Sequence, residues 1–220
     1  KTMKTLLITF LGILFSTSVF AQTKYSDLIS FAEDKSKWEY YNRDAAFISK
    51  EQGKIYSVML GTAEGDGIAI YQDLEFENGT LEMDIKGKNN PGKSFVGVAF
   101  HIQDEETFNA IYFRPFNFKN PDKVRSGHSV QYISHPEFTW HKLRGDFPEQ
   151  FENPVKPVPN PDEYFHAKVV VEWPMVTVFV EDAKEPSLQV KMKSKFKKGK
   201  VGFWVGHGSD GAFKNLVVKQ

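Results

Sequence analysis

The sequence predicts an all-β protein, a two-sheet antiparallel β-sandwich carrying one long ordered flap. Three observations lead there. From about residue 45 onward, short runs alternate apolar and polar side chains with period two; Gly, Asn, Asp and Pro separate those runs; and no long stretch carries helical periodicity. The runs fall at roughly 55–60, 67–76, 80–86, 94–102, 108–115, 129–134, 166–173, 175–181, 188–193, 200–206 and 212–218, a number of strands that fills two packed sheets.

Ahead of the strands, residues 3–21 read MKTLLITFLGILFSTSVFA: a basic start at Lys4, an apolar run from Leu6 to Phe15, and Val19 and Ala21 at small-residue positions before Gln22. That is the pattern of a secretory signal peptide, residues 1–21, with export to a bacterial periplasm or exterior as the expectation. Nothing later approaches the length of a membrane span, and no linker-like shift in composition divides residues 22–220, which are expected to form a single domain. Asp27 to Lys37 is expected to hold one short helix capped by Asp27.

The 28 basic and 28 acidic residues cancel, and loss of Lys1 and Lys4 with the signal leaves the balance near neutral. No field recruits nucleic acid or an anionic membrane. Cysteine is absent, which excludes disulfides, thiol nucleophiles and thiolate metal sites, so stability must come from the core of a chain rich in Phe.

Turn chemistry supports the strand scheme. Asn78-Gly79 between alternating runs is the pattern of a two-residue hairpin, and it outweighs the glycosylation sequon formed with Thr80. Gly206 to Gly211, GHGSDG, matches a dinucleotide fingerprint, but the next residues, AFKNLVV, read as a strand and not as the helix that fingerprint requires. The hexapeptide is expected to be a glycine turn between two strands. Two stretches break the rhythm, 116–128 and about 134–165; the aromatic side chains Trp140, Phe147, Phe151, Tyr164 and Phe165 mark the second as an ordered flap.

Alternation also assigns faces. In FVGVAFHIQ, Val96, Val98, Phe100 and Ile102 point to the core, leaving Phe95, Gly97, Ala99 and His101 opposite. Small residues in mid-strand imply a close approach to that face. The same reasoning places Tyr112, Arg114, Gln131 and Trp204 beside His101, with Trp140 and Arg144 reaching in from the flap and Trp204 standing as an exposed stacking platform. Ring faces with hydrogen-bonding partners are what a sugar requires, so an oligo- or polysaccharide is the expected partner.

Other chemistries find little support. His135 and His141 lack metal-ligand spacing, and Ser209 lacks the glycine two positions earlier that a nucleophile elbow demands. No cofactor is expected, and Asp210 or Asp66 is the candidate for a structural calcium.

The stretches GKVGFWVGHGSDGAFKNLVV, GTLEMDIKG and FVGVAFHIQD resemble the concanavalin A-like lectin and glucanase superfamily, including laminin-G-like modules and bacterial domains described as 3-keto-disaccharide or glycosyl hydrolases. The resemblance covers most of the mature chain. It implies a jelly roll of two curved sheets, with glycans handled on the concave one beneath loops such as 116–128 and 134–165. Retaining glucanases of that superfamily carry E-x-D-x-x-E on one strand, its outer carboxylates serving as nucleophile and acid. Here Glu82 and Asp84 are kept but Gly87 stands in the last place. The leading expectation is therefore a secreted glycan-binding sandwich. The alternatives are a glycoside hydrolase using Glu82, Asp84 and His101 as its acid–base set, and a non-catalytic module for protein interaction or adhesion.

Overall fold

The structure is a computed structural model that describes residues 26–28, 35–49 and 55–220; the expected signal peptide lies outside them. Its strands are β1 (Ser26–Leu28), β2 (Trp38–Tyr41), β3 (Ala45–Ser49), β4 (Ile55–Leu60), β5 (Gly67–Phe76), β6 (Gly79–Lys86), β7 (Val96–Ile102) and β8 (Phe108–Phe113). They continue as β9 (Val130–His135), β10 (Glu152–Asn153), β11 (Phe165–Glu172), β12 (Met175–Val180), β13 (Leu188–Lys191), β14 (Gly199–Val205) and β15 (Gly211–Lys219). Among the described residues three short α-helices interrupt them, α1 (Pro115–Phe118), α2 (Lys123–Gly127) and α3 (Trp140–Asp146), and Lys35–Lys37, the end of the expected short helix, forms one 3-10 turn. All sheet pairings are antiparallel, in the orders β13-β12-β11-β6-β15-β4-β3, with β1 also on β15, and β10-β9-β8-β7-β14-β5-β2.

The inward faces follow the sequence pattern. Leu81, Met83 and Ile85 of β6 and Val96, Val98 and Phe100 of β7 are completely buried between the sheets. Aromatic rings join the two layers. Phe203 of β14 stacks on Phe213 of β15 at 4.4 Å with its other side at 5.2 Å from Trp38 of β2, and Phe113 meets Phe165 edge-on at 5.0 Å. Each buried ring contributes about 1.5–3 kcal/mol through area removed from water, which is how the sandwich stands without disulfides.

Several local expectations are corrected. Asn78-Gly79 is not a hairpin turn, because β5 and β6 belong to different sheets. Gly79 instead has φ +140°, and a Cβ there would lie 1.9 Å from the carbonyl oxygen of Lys219. The last strand's backbone occupies the space of a side chain. Asp27 lies in β1, where it pairs with Val218, and not at a helix cap; residues 29–34 of that expected helix are outside the described ones. Gly206 to Gly211 does connect β14 to β15, crossing from one sheet to the other, with Gly208 at φ +65°.

The alternation that placed His101 fails at a bulge. Phe100 and Ile102 pair with the adjacent residues Val201 and Lys200, so His101 is the extra residue, and its φ is +49°. Its ring is fully buried, 5.1 Å from Phe100 and 6.0 Å from Phe76, and Nε2–H donates to the Glu77 carbonyl at 2.7 Å. Burial pushes this imidazole below its usual pKa, leaving a neutral core histidine.

Glu82 and Asp84 sit on the outer face of the eight-stranded sheet, since Leu81, Met83 and Ile85 of the same strand point inward. Glu82 accepts from Lys219 at 2.9 Å. Asp84 accepts from Asn215 at 2.7 Å and contacts His166 Nδ1 at 2.9 Å. Burial alone would raise the Asp84 carboxyl, but the His166 and Asn215 hydrogen bonds and the Lys214 charge outweigh it and hold it low, while the bond to Asp84 raises His166. A raised imidazole stabilises the fold fully below its ordinary value of about 6.5 and loses that contribution as pH climbs through the raised one. The melting temperature of the wild type minus that of His166→Gln is therefore expected to be positive near pH 5.5 and to shrink by about pH 8.5. The change will be modest, because the side chain is 34% exposed and screened by solvent.

Candidate functional site

One register row crosses all seven strands of the second sheet. Tyr41 pairs with Ile68, Ile68 with Trp204, Trp204 with Gly97, Gly97 with Tyr112, Tyr112 with Gln131, and Gln131 with Glu152. Residues directly opposite on neighbouring strands share a face, so the row forms a floor. Gly97 decides its shape. A Cβ there would lie 2.7 Å from Tyr112 Cβ, and without it the Tyr112 and Trp204 rings meet at 5.0 Å, tilted by 53°.

Above the floor lies a cleft of about 660 Å³, walled by Phe95, Phe116 and Ile133 and roofed by the helical insertions through Arg125 and Trp140. Five residues expected from the sequence, Tyr112, Arg114, Trp140, Arg144 and Trp204, line this one cleft, and Gln131 touches them through its amide. Trp204 is not the exposed platform expected: it is only 4% accessible under Tyr112, whereas Trp140 is 47% exposed. Glu82, Asp84 and His101 are absent from the lining. The grouping of these three as an acid–base set does not form, because the two carboxylates point away on the other sheet and the bulge turns His101 into the core.

The flap explains why Trp140 is held at the mouth. Residues 134–165 contain α3, capped by the Thr139 hydroxyl, and β10, which extends β9; Leu143, Phe151 and Val155 anchor the segment in the core. Stretch 116–128 supplies α1 and α2, the latter capped by Asp122, whose carboxylate accepts from the Val124 amide at 2.8 Å.

One end of the cleft is a buried polar network. Arg114 donates to the Tyr112 hydroxyl, to Gln131 Oε1 at 2.5 Å and to the His128 carbonyl at 2.9 Å. Arg144 grips Glu152 with two bonds of 2.8 and 2.6 Å, while His128 Nδ1 lies 2.9 Å from the same carboxylate. Burial pushes Tyr112 up to about 12 and lowers His128, so at neutral pH the network holds two guanidinium charges against the Glu152 carboxylate. Sequence reading missed Glu152. Its only signal was a carboxylate between Phe151 and Asn153 in an aromatic-rich flap.

The other end carries a second pair that was not anticipated as such. Asp66 Oδ2 and His135 Nδ1 are 3.9 Å apart. Register places Asp66 just before β5 and His135 at the end of β9, diagonally opposite corners of the sheet, so the sheet's twist curls them together. Burial raises the Asp66 carboxyl against the opposing charges of His135 and Arg43, and burial lowers His135 against the charge of Asp66. The Trp204 indole N–H favours the Asp66 carboxylate without closing a hydrogen bond of normal geometry. Arg43, buried itself, ties the carbonyls of Asn42, Gly65 and Gly206 together, and the Gly65 amide donates to His207 Nδ1 at 2.9 Å. Asp210, the other calcium candidate, accepts from Lys88. Among the described residues no three His, Asp or Glu side chains converge as a metal ion would require, and no helix is long and apolar enough to cross a membrane.

Removing one partner of a buried ion pair costs about 3–5 kcal/mol, because the other charge stays buried and unpaired. Glu152→Ala is therefore expected to lower the melting temperature by roughly 10 °C or more in thermal denaturation, whereas Trp140→Ala, at an exposed position, is expected to leave it nearly unchanged.

Solved structures share this fold at low identity. The carbohydrate binding module CBM66 from Bacillus subtilis is 15% identical with a TM-score of 0.55, the match covering 82% of this chain and 93% of that one. Bacillus licheniformis beta-glucanase is 14% identical with a TM-score of 0.54, covering 90% and 99%. The exoplasmic/lumenal domain of VIP36 in its Ca2+/Man3GlcNAc-bound form is 14% identical with a TM-score of 0.54, covering 89% and 87%. The fold is thus the jelly roll carried by carbohydrate-binding modules and glucanases. A search of curated protein sequences found no match. The family of 3-keto-alpha-glucoside-1,2-lyase-like domains matches residues 26–219, nearly the whole of the described fold, and the chain belongs to that family.

Proposed function

We propose that this chain cleaves a glycoside in the cleft above the seven-stranded sheet, with Asp66 and His135 moving the proton. The observation that carries the reading is that pair: a carboxyl and an imidazole 3.9 Å apart, each shifted by burial toward its neutral form, in the wall of a cleft large enough for a sugar. The family description supports a 3-keto-α-glucoside as substrate and a 1,2-elimination as the reaction.

The chemistry suits the groups present. A ketone at C3 acidifies the hydrogen on C2. The neutral His135 imidazole takes that proton, and the Asp66 carboxylate beside it stabilises the imidazolium. The electrons of the broken C2–H bond form the C1=C2 double bond as C1–O breaks, and the departing oxygen leaves as an alcohol once the pair returns the proton to it. No electrons are gained or lost overall. Arg114, Arg125 and Arg144 line the opposite end of the cleft and act on the negative charge that develops at the C3 oxygen through their field, not by contact. Trp140 offers the ring face on which the sugar stacks. Export by the signal peptide would set this activity outside the cytoplasm.

A purely sugar-binding role is the second reading, favoured by the half-exposed Trp140. A chromogenic 3-keto-α-glucoside separates the two. Catalysis predicts release of the alcohol and absorbance from the unsaturated ketone, with Asp66→Asn and His135→Asn each slowing turnover by at least about 100-fold while sugar binding persists. Trp140→Ala is expected to weaken binding by roughly two- to tenfold. The rate should hold below pH 6.5, the ordinary imidazole value, and fall only as the lowered His135 pKa is crossed. Binding without product in the wild type would leave only the second reading.

A further inference from the structure

The floor row does not end at the main cleft. Its next two residues, Ile68 and Tyr41, underlie a second cavity of about 420 Å³, rimmed by Glu105 and Glu106 in the β7–β8 turn and by Phe108. Asp66, His135 and Trp204 line both cavities, so the proposed proton-transfer pair stands at their junction. A bond broken at that junction has one part of the substrate in each cavity. Both volumes fall in the range of small-molecule sites, roughly 300–1,000 Å³.

The two cavities differ in charge. Three arginines line the main cleft, but no Lys or Arg lines the second cavity, which has the carboxylates of Glu105, Glu106 and Asp66. Among the described residues neither Glu105 nor Glu106 forms an ion pair. Arg43 behind Gly67 donates to three backbone carbonyls and opposes the Asp66 charge, which leaves Glu105 and Glu106 as the carboxylates without an opposing cation among the described residues. Glu105 nevertheless acts across the cavity: the hydrogen bond to Glu39 is the largest cause raising the Tyr41 hydroxyl, and the Glu105 charge adds a smaller push in the same direction.

We infer that the second cavity receives the leaving group, and that its carboxylates favour a neutral or cationic leaving group, an amino sugar above all, and disfavour an anionic one. This rests on the catalytic reading above. Two unpaired carboxylates accept hydrogen bonds from sugar hydroxyls and bind an ammonium more strongly still, whereas a carboxylate or sulfate there meets like charge. Because both glutamates are exposed, solvent screening holds the preference to a modest factor.

The test uses 3-keto-α-glucosides that differ only in the leaving group: methanol, a neutral hexose, an amino hexose and a hexuronate. Turnover is measured on the full protein and on Glu105→Gln/Glu106→Gln, with melting temperature as the folding control. In parallel, calorimetry measures binding of the free amino hexose and hexuronate to both proteins. The expected kcat/KM order is amino hexose, neutral hexose, hexuronate, with about three- to tenfold between the extremes at low salt, compressed toward unity in the double variant. Turnover that is indifferent to leaving-group charge, or a preference that the double variant retains, would overturn the assignment. If no substrate is cleaved but calorimetry shows the amino hexose preferred and the preference lost in the variant, the cavity assignment holds and the catalytic reading falls. If binding shows no preference either, both fall.

Discussion

A carboxylate can be buried only if it is paired, and the pairing of Glu152 is the constraint on which the cleft depends. Its side chain is 4% exposed and is met by Arg144, His128 and Arg114, which come from α3, the end of α2 and the end of β8. Separating any of them would leave a charge in low dielectric, so two insertions and the sheet edge are fixed to a common point. The cleft consequently has a rigid charged end, and Trp140 stands over it at the first turn of a helix whose later turn supplies Arg144.

The opposite end is organised by curvature. Asp66 and His135 come from diagonal corners of the seven-stranded sheet and meet only because the sheet twists and curls. The bulge at His101 lies in the middle strand of that sheet, where an extra residue increases local twist. His101 therefore serves the shape of the sheet, while His128, His135 and His207 line the cleft. Around Gly97 the same sheet exchanges a side chain for close packing of Tyr112 against Trp204, which leaves Trp204 as floor and makes Trp140 the accessible ring.

The two faces of the sandwich also divide two sorts of polar chemistry. On the eight-stranded sheet, Glu82, Asp84 and His166 join Lys214, Lys219 and Asn215 in a solvated lattice of charges. On the other sheet burial is the leading cause of the shifts, raising Asp66 and lowering His128 and His135, whereas hydrogen bonds and neighbouring charges set those of Asp84 and His166. This is why the carboxylates kept from a glucanase-like strand motif are surface residues here, while Asp66, which belongs to no motif, lies in the cleft.

The sequence by itself determined the β-sandwich, the inward faces of its strands, the strand–glycine turn–strand ending and the outward row of Tyr112, Gln131 and Trp204, because period-two alternation and turn residues are local properties of the chain. It also marked 134–165 as ordered, since Phe151 and its aromatic neighbours need a core to enter. Only the tertiary structure decided that Asn78-Gly79 crosses between sheets, that His101 turns inward at a bulge, that β2, β3 and β10 form sheet edges, and that Glu152, Asp66 and His135 belong to one cleft. Those facts depend on which strand lies beside which and on how far a sheet curls, and both are set by pairing between segments distant in sequence.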